Sequence, residues 1–168
     1  MAARDANRVN VKITPIGEEE ARAIVAWRYD APYSFYNSAP EDLDNLLRPE
    51  YAYHSVRTEQ GELIGFACFG PDARVRGGDY DDDESVLDLG GGLRPDLTGK
   101  GLGLDLLESV LEFARAEFPA RAFRATIASF NQRAIRVCQK AGFVQEQTFA
   151  AQREAGEVQF VVMTTPRP

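Results

Sequence analysis

The chain has 168 residues, of which 44% are hydrophobic and 27% are charged, so its composition excludes disordered and fibrous proteins and fits one folded domain. Its net charge of −7, from 26 acidic and 19 basic residues, argues against a nucleic-acid partner held through its phosphates. The apolar stretches are too short for a membrane span, and the first residues lack the apolar core of a signal peptide. We therefore predict a cytoplasmic protein with no membrane partner.

The first predicted elements are a strand, a helix, a bend and a short helix. Residues 9–14 alternate apolar and polar side chains, which predicts a strand. The acidic run 18–20 begins a helix, and the aromatic segment 27–36 after it is predicted to bend because Pro32 cannot continue a helix. The Ser-x-x-Glu spacing at 38–41 is typical of a capping box and predicts the second helix.

The middle of the chain predicts three strands and a long loop. Residues 51–58 and 63–70 are predicted to form a hairpin, and residues 85–93 a further strand. The polar segment 71–84 between them is predicted to be a surface loop. Its acidic run at 79–84 either concentrates cations near the protein or is a solvated, mobile surface.

The last part of the chain alternates helices and strands. It predicts a long helix at 101–118, a strand at 123–127, a helix at 131–141, and two final strands at 143–149 and 157–164.

The order of these elements is βααβββαβαββ, which predicts a single α/β (α+β) domain over residues 9–165. Such an order favours a mixed central sheet with helices on both faces. Residues 1–8 are short, polar and mixed in charge, and we predict that they form a flexible N-terminus.

A glycine-rich segment at 98–103, Thr-Gly-Lys-Gly-Leu-Gly, lies between a predicted strand and a predicted helix. Glycines permit a tight turn that uncovers peptide N–H groups, and the helix start adds unpaired donors and a positive dipole end. Such a segment binds phosphate. It is not a P-loop, since Gly101 stands where the Mg²⁺-binding hydroxyl belongs, and it is a poor dinucleotide fingerprint, since Leu104 stands in place of the third glycine.

A second motif runs over residues 131–143, Asn-Gln-Arg-Ala-Ile-Arg-Val-Cys-Gln-Lys-Ala-Gly-Phe. The glycine segment resembles the Arg/Gln-x-x-Gly-x-Gly/Ala pyrophosphate loop of the GNAT superfamily, the acyl-CoA-dependent N-acyltransferases. The second motif resembles that superfamily's Asn-x-x-Ala-x-x-x-Tyr-x-x-x-Gly-Phe helix. The resemblance spans residues 86–149 and departs from the family at two positions: Thr98 replaces Arg or Gln, and Cys138 replaces Tyr.

This resemblance implies a single-domain GNAT fold with a splayed V between the two central strands, and acetyl-CoA as the co-substrate. Peptide groups of the glycine segment would hold the pyrophosphate, and those near Leu93 would bind the pantetheine arm. Asn131 would bind that arm or cap its helix, and Lys100 would add charge or remain a solvated surface residue. The predicted cofactor-binding residues are Leu93, Thr98, Gly99, Lys100, Gly101, Leu102, Gly103, Leu104 and Asn131.

Three consecutive glycines, Gly90, Gly91 and Gly92, lie inside a predicted strand, where glycine gives up side-chain packing. In the GNAT fold the corresponding strand carries a bulge beside which pantetheine pairs with the backbone. The glycines would permit that bulge and that close approach, the alternative being a locally weak strand.

Three residues are candidates for catalysis. An attacking ammonium must lose a proton, and a carboxylate is the natural base. Asp88 is the first candidate, with a structural salt bridge as the alternative, and Glu84 is the second, with a solvated surface role as the alternative. Cys138 occupies the position of the family's thiolate-protonating Tyr and is predicted to line the site, although water can also protonate a CoA thiolate. The two cysteines have no CxxC or His-rich neighbourhood, and we predict no metal.

We predict an N-acetyltransferase that transfers the acetyl group of acetyl-CoA by direct attack of a primary amine, either a small cationic amine or a peptide N-terminus. Tyr33, Phe35 and Tyr36 are the predicted acceptor contacts because aromatic faces attract ammonium groups, with core packing as the alternative. The alternative function is a catalytically weak CoA-binding or regulatory module, which a salt-bridged Asp88 would favour. Oligomeric state stays open, with a homodimer as one alternative, as does the use of another acyl-CoA.

Overall fold

The computed structural model describes residues 8–167. Seven strands form one sheet: β1 (Val11–Pro15), β2 (His54–Thr58), β3 (Leu63–Phe69), β4 (Val86–Leu93), β5 (Ala122–Ala128), β6 (Val144–Arg153) and β7 (Gly156–Thr164). The four α-helices of this part of the chain are α1 (Glu18–Ala26), α2 (Asp42–Leu46), α3 (Gly103–Glu117) and α4 (Gln132–Lys140). Short 3-10 turns lie at Tyr33–Tyr36, Pro49–Tyr51, Pro71–Ala73 and Pro95–Leu97.

The predicted N-terminal segment 1–8 lies outside the described residues except for Arg8. That side chain donates to Glu112 of α3 at 2.9 Å and to the hydroxyl of Ser109 at 2.9 Å. Arg8 therefore belongs to the folded domain.

The sheet has the strand order β1-β2-β3-β4-β5-β7-β6. The β4–β5 pair is parallel and the other pairs are antiparallel. The element order along the chain is the predicted one, and the mixed sheet is confirmed.

The sheet opens between its two central strands. The pair Asp88↔Arg124 is the last that joins β4 to β5. Beyond it, β4 continues along β3 as far as Leu93, while β5 continues along β7 as far as Ala128. The predicted V between the central strands is therefore confirmed, and its apex lies at Asp88.

Two apolar clusters cover the two faces of the sheet. Alternate side chains of a strand point to opposite faces. On β3, Phe66 packs with the cluster of α1, whereas Ala67 and Phe69 belong to the larger cluster that contains Leu111 and Ala114 of α3. Helices therefore lie on both faces, as predicted.

The predicted start of the second helix is wrong. The helix α2 begins at Asp42, and its N-cap is Glu41, whose side chain makes no capping hydrogen bond within the described structure. The Asp42 carboxylate instead accepts the peptide N–H of Ala39 at 2.7 Å, which stabilises the turn before the helix. Ser38 therefore has no capping role and lies in the wall of the cleft described below.

Candidate functional site

A cleft of about 480 Å³ lies in the V between β4 and β5. That volume is in the range of small-molecule sites. Its walls come from the β4 glycines, the first turns of α3 and α4, and the aromatic segment after α1. Eight of the predicted site residues line it: Tyr33, Tyr36, Leu93, Thr98, Gly99, Gly103, Asn131 and Cys138.

The glycine segment forms one end of this cleft. Gly99 and Gly101 have φ angles of +73° and +81°, in the left-handed region that favours glycine. A Cβ placed on Gly101 would meet nothing within 4 Å, so there is open space beside its Cα. The N-cap of α3 is Leu102, whose apolar side chain accepts no hydrogen bond, so the first peptide N–H groups of the helix remain available to an anion.

The other predicted residues of this segment shape the loop and pack its helix. The hydroxyl of Thr98 donates to the carbonyl of Pro95 at 2.8 Å and closes the 3-10 turn there. The side chain of Lys100 is exposed and that of Leu104 is buried in the core. A Cβ placed on Gly103 would lie 3.2 Å from Cγ2 of Val137, so this glycine allows α3 and α4 to pack closely.

Arg133 is a site residue that the sequence analysis did not identify. Its guanidinium carbon lies 3.9 Å from the centre of the Tyr33 ring. Its Nη1 is 3.1 Å from the position that a Cβ on Gly99 would take. The cation therefore lies between an aromatic ring and the glycine segment, a position from which a guanidinium can pair with an anion. A basic residue in the first turn of the second motif's helix was the available signal.

The three glycines of β4 pack against β3. A Cβ on Gly91 would collide with the carbonyl oxygen of Phe66, and one on Gly92 would lie 3.1 Å from the Phe66 ring. One on Gly90 would lie 3.3 Å from the sulfur of Cys68. Close approach to β3 therefore requires glycine here, whether or not a ligand approaches from the other side.

Hydrogen-bond alternation along β4 decides which peptide groups face the open V. Asp88 O accepts from Gly70 of the β3 side at 2.8 Å, and Arg94 N donates to Ile64 of β3 at 2.8 Å. Even-numbered positions of β4 therefore bond to β3, and the peptide groups of Gly91 and Leu93 point to the gap.

The side chain of Tyr29 lies against the same edge of β4. The hydroxyl of Tyr29 donates to the carbonyl of Leu93 at 2.6 Å, and Tyr29 lines the cleft. Burial raises the pKa of this phenol to about 12, so it stays protonated and keeps that hydrogen bond. The Leu93 carbonyl is thus occupied by the protein itself.

Asp88 forms a buried salt bridge. It is 3% exposed, and its carboxylate accepts from Arg124 Nε at 2.6 Å, Arg124 Nη2 at 2.8 Å and Arg74 Nε at 2.8 Å. Arg124 is 5% exposed and also donates to Asp81 at 2.8 Å. Both oxygens of Asp88 are engaged away from the cleft, so we correct the prediction of a base at this position in favour of the salt-bridge alternative.

Glu84 is an exposed surface residue, which was the alternative to its predicted role as a second base. It lies in the turn before β4, where its side chain is exposed, and β4 runs from there past the apex before the V opens. The prediction of a second base at Glu84 is corrected accordingly.

Cys138 lies in α4 and lines the cleft, as predicted. Burial raises its pKa to about 12. The pKa of an ordinary thiol is about three units lower, so Cys138 holds its proton more tightly than a departing CoA thiolate would. Protonation of the leaving group by water agrees better with this environment than protonation by Cys138.

Asn131 is the N-cap of α4. Its Oδ1 accepts the N–H of Ala134 at 3.1 Å, and its Nδ2 donates to the hydroxyl of Tyr36 at 3.2 Å. The capping alternative is therefore present in the structure, and the same side chain holds Tyr36 in the cleft wall. Contact with pantetheine stays a prediction.

The three predicted acceptor aromatics do not share one environment. Tyr33 and Tyr36 line the cleft. Phe35 is 38% exposed and packs edge-on against Phe130 at a centroid distance of 5.5 Å, behind Tyr36. The prediction for Phe35 is corrected to an apolar contact that supports the cleft wall.

The buried thiols predict a loss of stability at high pH. Burial raises the pKa of Cys68 and Cys138 from 9.0 to about 12 each, so the folded state keeps protons that the unfolded state releases. Their stabilising contribution is complete below pH 9 and is lost as pH rises towards about 12. Urea unfolding across this range should show the free energy of unfolding falling by about 1.4 kcal/mol per pH unit for each thiol.

Variants assign that loss to the cysteines. Cys138→Ala should flatten the high-pH slope by one thiol, and Cys68→Ala, with Cys138 intact, should do the same. If both single variants kept the slope of the parent protein, the origin of the effect in the thiols would be wrong.

The chain is similar to known proteins. The family model described as an acetyltransferase (GNAT) domain matches residues 10–144. The chain belongs to the GNAT acetyltransferase family. As a GNAT protein it is an acyl-CoA N-acyltransferase with acetyl-CoA as its co-substrate, which confirms the resemblance seen in its two motifs. No curated protein matches the sequence.

Three solved structures illustrate the fold. A GNAT-family acetyltransferase from Bacillus anthracis is 16% identical, with a TM-score of 0.71 over 93% of this chain and 96% of that one. A spermidine N-acetyltransferase chimera from Vibrio cholerae SpeG and hSSAT is 15% identical, with a TM-score of 0.72 over 92% and 94%. AAC(6')-Ib in complex with paromomycin and acetyl-CoA is 20% identical, with a TM-score of 0.70 over 94% of each chain. At these identities the likeness shows the fold alone.

The described part of the chain has neither a metal-binding cluster nor a helix that could span a membrane. Within residues 8–167, no group of three or more His, Cys, Asp or Glu side chains lies close enough to hold a metal ion. None of the described helices has the length and apolar character needed to cross a membrane.

Proposed function

We propose that this GNAT acetyltransferase transfers the acetyl group of acetyl-CoA to a primary amine, a small cationic amine or a peptide N-terminus, by direct attack. The observation that carries the proposal is the cleft itself. One end has the open glycine segment, the N-terminus of α3 and Arg133, which fit a pyrophosphate. The cleft is also lined by Trp27 and Tyr36, whose aromatic rings suit an ammonium group.

The residues present fit acetyl-CoA as a bound molecule. The glycine segment would hold its pyrophosphate, and the peptide group of Gly91, which points to the gap, would bond to the pantetheine arm or the thioester oxygen. Acetyl-CoA supplies an activated acetyl group. The chain supplies orientation, because the two walls of the V hold donor and acceptor in one narrow cleft.

The chemical step balances without a further reactant. The ammonium loses one proton, and its nitrogen forms a C–N bond to the thioester carbon while the C–S bond breaks. The nitrogen then loses a second proton, one proton converts the CoA thiolate to a thiol, and the other enters solvent.

The acidic run contributes less to recruitment than its composition suggests. Asp81 pairs with Arg124, and Asp83 pairs with Arg167 at 2.7 Å and accepts the hydroxyl of Ser85 at 2.6 Å. Those carboxylates support the fold. We propose that cation recruitment by this loop rests on Asp79 and Glu84, which are exposed, and on Asp82, which is fully exposed although it lies 3.9 Å from Arg74.

Names of similar proteins agree with a cationic amine. Two of the structures above are named for action on spermidine or for a complex with an aminoglycoside. Both compounds carry several amines. A cytoplasmic location and a homodimer stay predictions.

A screen of amines tests the proposed function. Purified protein with acetyl-CoA should release CoA thiol only when a primary amine is added, and mass spectrometry should find that amine 42 Da heavier, about the mass of an acetyl group less one hydrogen. Polyamines, aminoglycosides and peptide N-termini form the panel, and matching alcohols serve as controls. Thiol release that is independent of every amine would contradict the proposal.

The second candidate is a CoA-binding module that does not turn over. Two observations favour it: Asp88 is salt-bridged, and Cys138 stands where the family often places Tyr. Calorimetry combined with the amine screen separates the candidates. Both would bind acetyl-CoA, but a binding module would release no CoA thiol with any amine of the panel.

A further inference from the structure

Two charged side chains line the cleft, and their charges have opposite signs. Among residues 8–167, Arg133 is the one cationic side chain and Asp72 the one carboxylate in its wall. Arg133 lies beside the phosphate-binding segment. We propose that Asp72 binds the ammonium group of the acceptor and so makes the enzyme select cationic amines. This inference rests on the proposed function and names a residue that recognises its substrate.

Asp72 is held in a defined orientation. It lies in the 3-10 turn Pro71–Ala73 that follows β3, with its side chain exposed to the cleft. The hydroxyl of Tyr53 donates to its Oδ2. Burial raises the pKa of Tyr53, so that hydroxyl stays a donor, and its ring stacks on Phe66 at 6.2 Å. A carboxylate has about four acceptor sites, so one bond to Tyr53 leaves Asp72 able to accept from an ammonium.

The position of Asp72 matches the place where the thioester would lie. The neighbouring Ala73 Cβ is 3.7 Å from the position that a Cβ on Gly90 would take. Gly90 is two residues beyond the apex of the V, and β4 runs from there to Leu93 beside the phosphate-binding end. Three strand residues cover about 10 Å, so an arm that follows β4 from the glycine segment ends near Asp72.

Other acidic groups near the apex are already paired. Asp88 and Asp81 bind Arg124, and Asp88 also binds Arg74. Asp72 instead accepts from a neutral phenol, which leaves its negative charge uncompensated by that partner. An ammonium placed there gains a charge-assisted hydrogen bond to Asp72 and lies near the stacked rings of Tyr53 and Phe66.

The test measures the KM for 1,4-diaminobutane with the protein saturated by acetyl-CoA. Asp72→Asn should raise the KM for this diamine roughly 10- to 100-fold, since hydrogen bonds to charged groups contribute that much. Tyr53→Phe should raise the KM for the diamine roughly 3- to 10-fold, because the carboxylate remains but loses the hydrogen bond that orients it. Asp72→Glu should recover part of the loss. The affinity for acetyl-CoA, measured by calorimetry, should stay unchanged in all three variants.

A matched control removes the same charge elsewhere. Asp44→Asn changes an exposed aspartate on α2 and should leave the KM unaffected. Equal KM values for Asp72→Asn and the parent protein would overturn the inference while leaving the acetyltransferase function intact.

Binding distinguishes failure of this inference from failure of the proposed function. If the parent protein acetylates no amine, calorimetry of the CoA complex with 1,4-diaminobutane still decides. The inference is supported if the parent protein binds 1,4-diaminobutane, the Asp72→Asn variant does not, and the parent protein does not bind 1,4-butanediol. Binding that is absent, or is equal in the variant, overturns it.

Discussion

Replacing Gly101 by glutamate should weaken acetyl-CoA binding by about two orders of magnitude, or about 2.7 kcal/mol. The backbone there has a φ of +81°, and there is open space beside its Cα. A glutamate side chain would occupy that space and place a negative charge against the pyrophosphate. Isothermal titration calorimetry on both proteins measures the change in dissociation constant.

The chain offers a closely matched control for this variant. Gly61 has a φ of +89°, and a Cβ there also meets nothing within 4 Å, but it lies in the β2–β3 turn, outside the glycine segment 98–103. Gly61→Glu carries the same backbone strain and the same charge, so it should destabilise the fold similarly and leave acetyl-CoA affinity unchanged. Equal affinities for Gly101→Glu and the parent protein would contradict the assignment of the phosphate-binding segment.

The second large effect concerns stability. Asp88→Ala should lower the free energy of unfolding by about 3–5 kcal/mol, because it leaves Arg124 buried without its main partner. Small domains have about 5–15 kcal/mol in total, so the variant should unfold at a much lower urea concentration. The same change removes the ion pair at the apex of the V, so acetyl-CoA affinity should fall as well.

A surface ion pair provides the comparison. Asp96 also accepts from an arginine, Arg94, at 2.6 Å, but its side chain is 61% exposed. Asp96→Ala should change the urea midpoint little, because solvent screens exposed pairs. If the two alanine variants unfolded at the same urea concentration, a stabilising role for the buried salt bridge would be refuted.

The apex network explains why a carboxylate occurs in the middle of β4. Arg74 and Arg124 lie over the ring of Tyr80, at 5.3 Å and 5.0 Å from its centre. The Tyr80 hydroxyl accepts from Val75 and is hydrogen-bonded to Thr126 of the cleft wall. These contacts hold the loop 71–84 against both central strands, just where the strands begin to separate. The segment predicted as a surface loop is therefore also part of the site's support.

Local patterns determined most of the fold and one end of the site. Alternating apolar residues and turn signals placed every strand within a few residues, since strand and helix periods are properties of short segments. The proposed phosphate-binding end is equally local: a loop and a helix start are contiguous at 98–103, so their glycines predict it without knowledge of the rest of the chain. The family resemblance rested on the same contiguous residues.

Tertiary structure alone decided the other end of the site. Asp88 and Arg124 are 36 positions apart in sequence, and only the pairing of β4 with β5 shows that one neutralises the other. Asp72 stands out because the fold brings its turn beside Gly90 and places Tyr53 against it, and neither contact leaves a periodic signal. The sequence by itself therefore determined the family and the sheet, and it located the glycine segment for which phosphate binding is proposed. Which carboxylates are free to meet a substrate depended on long-range packing, because charge pairing is set by distance in space.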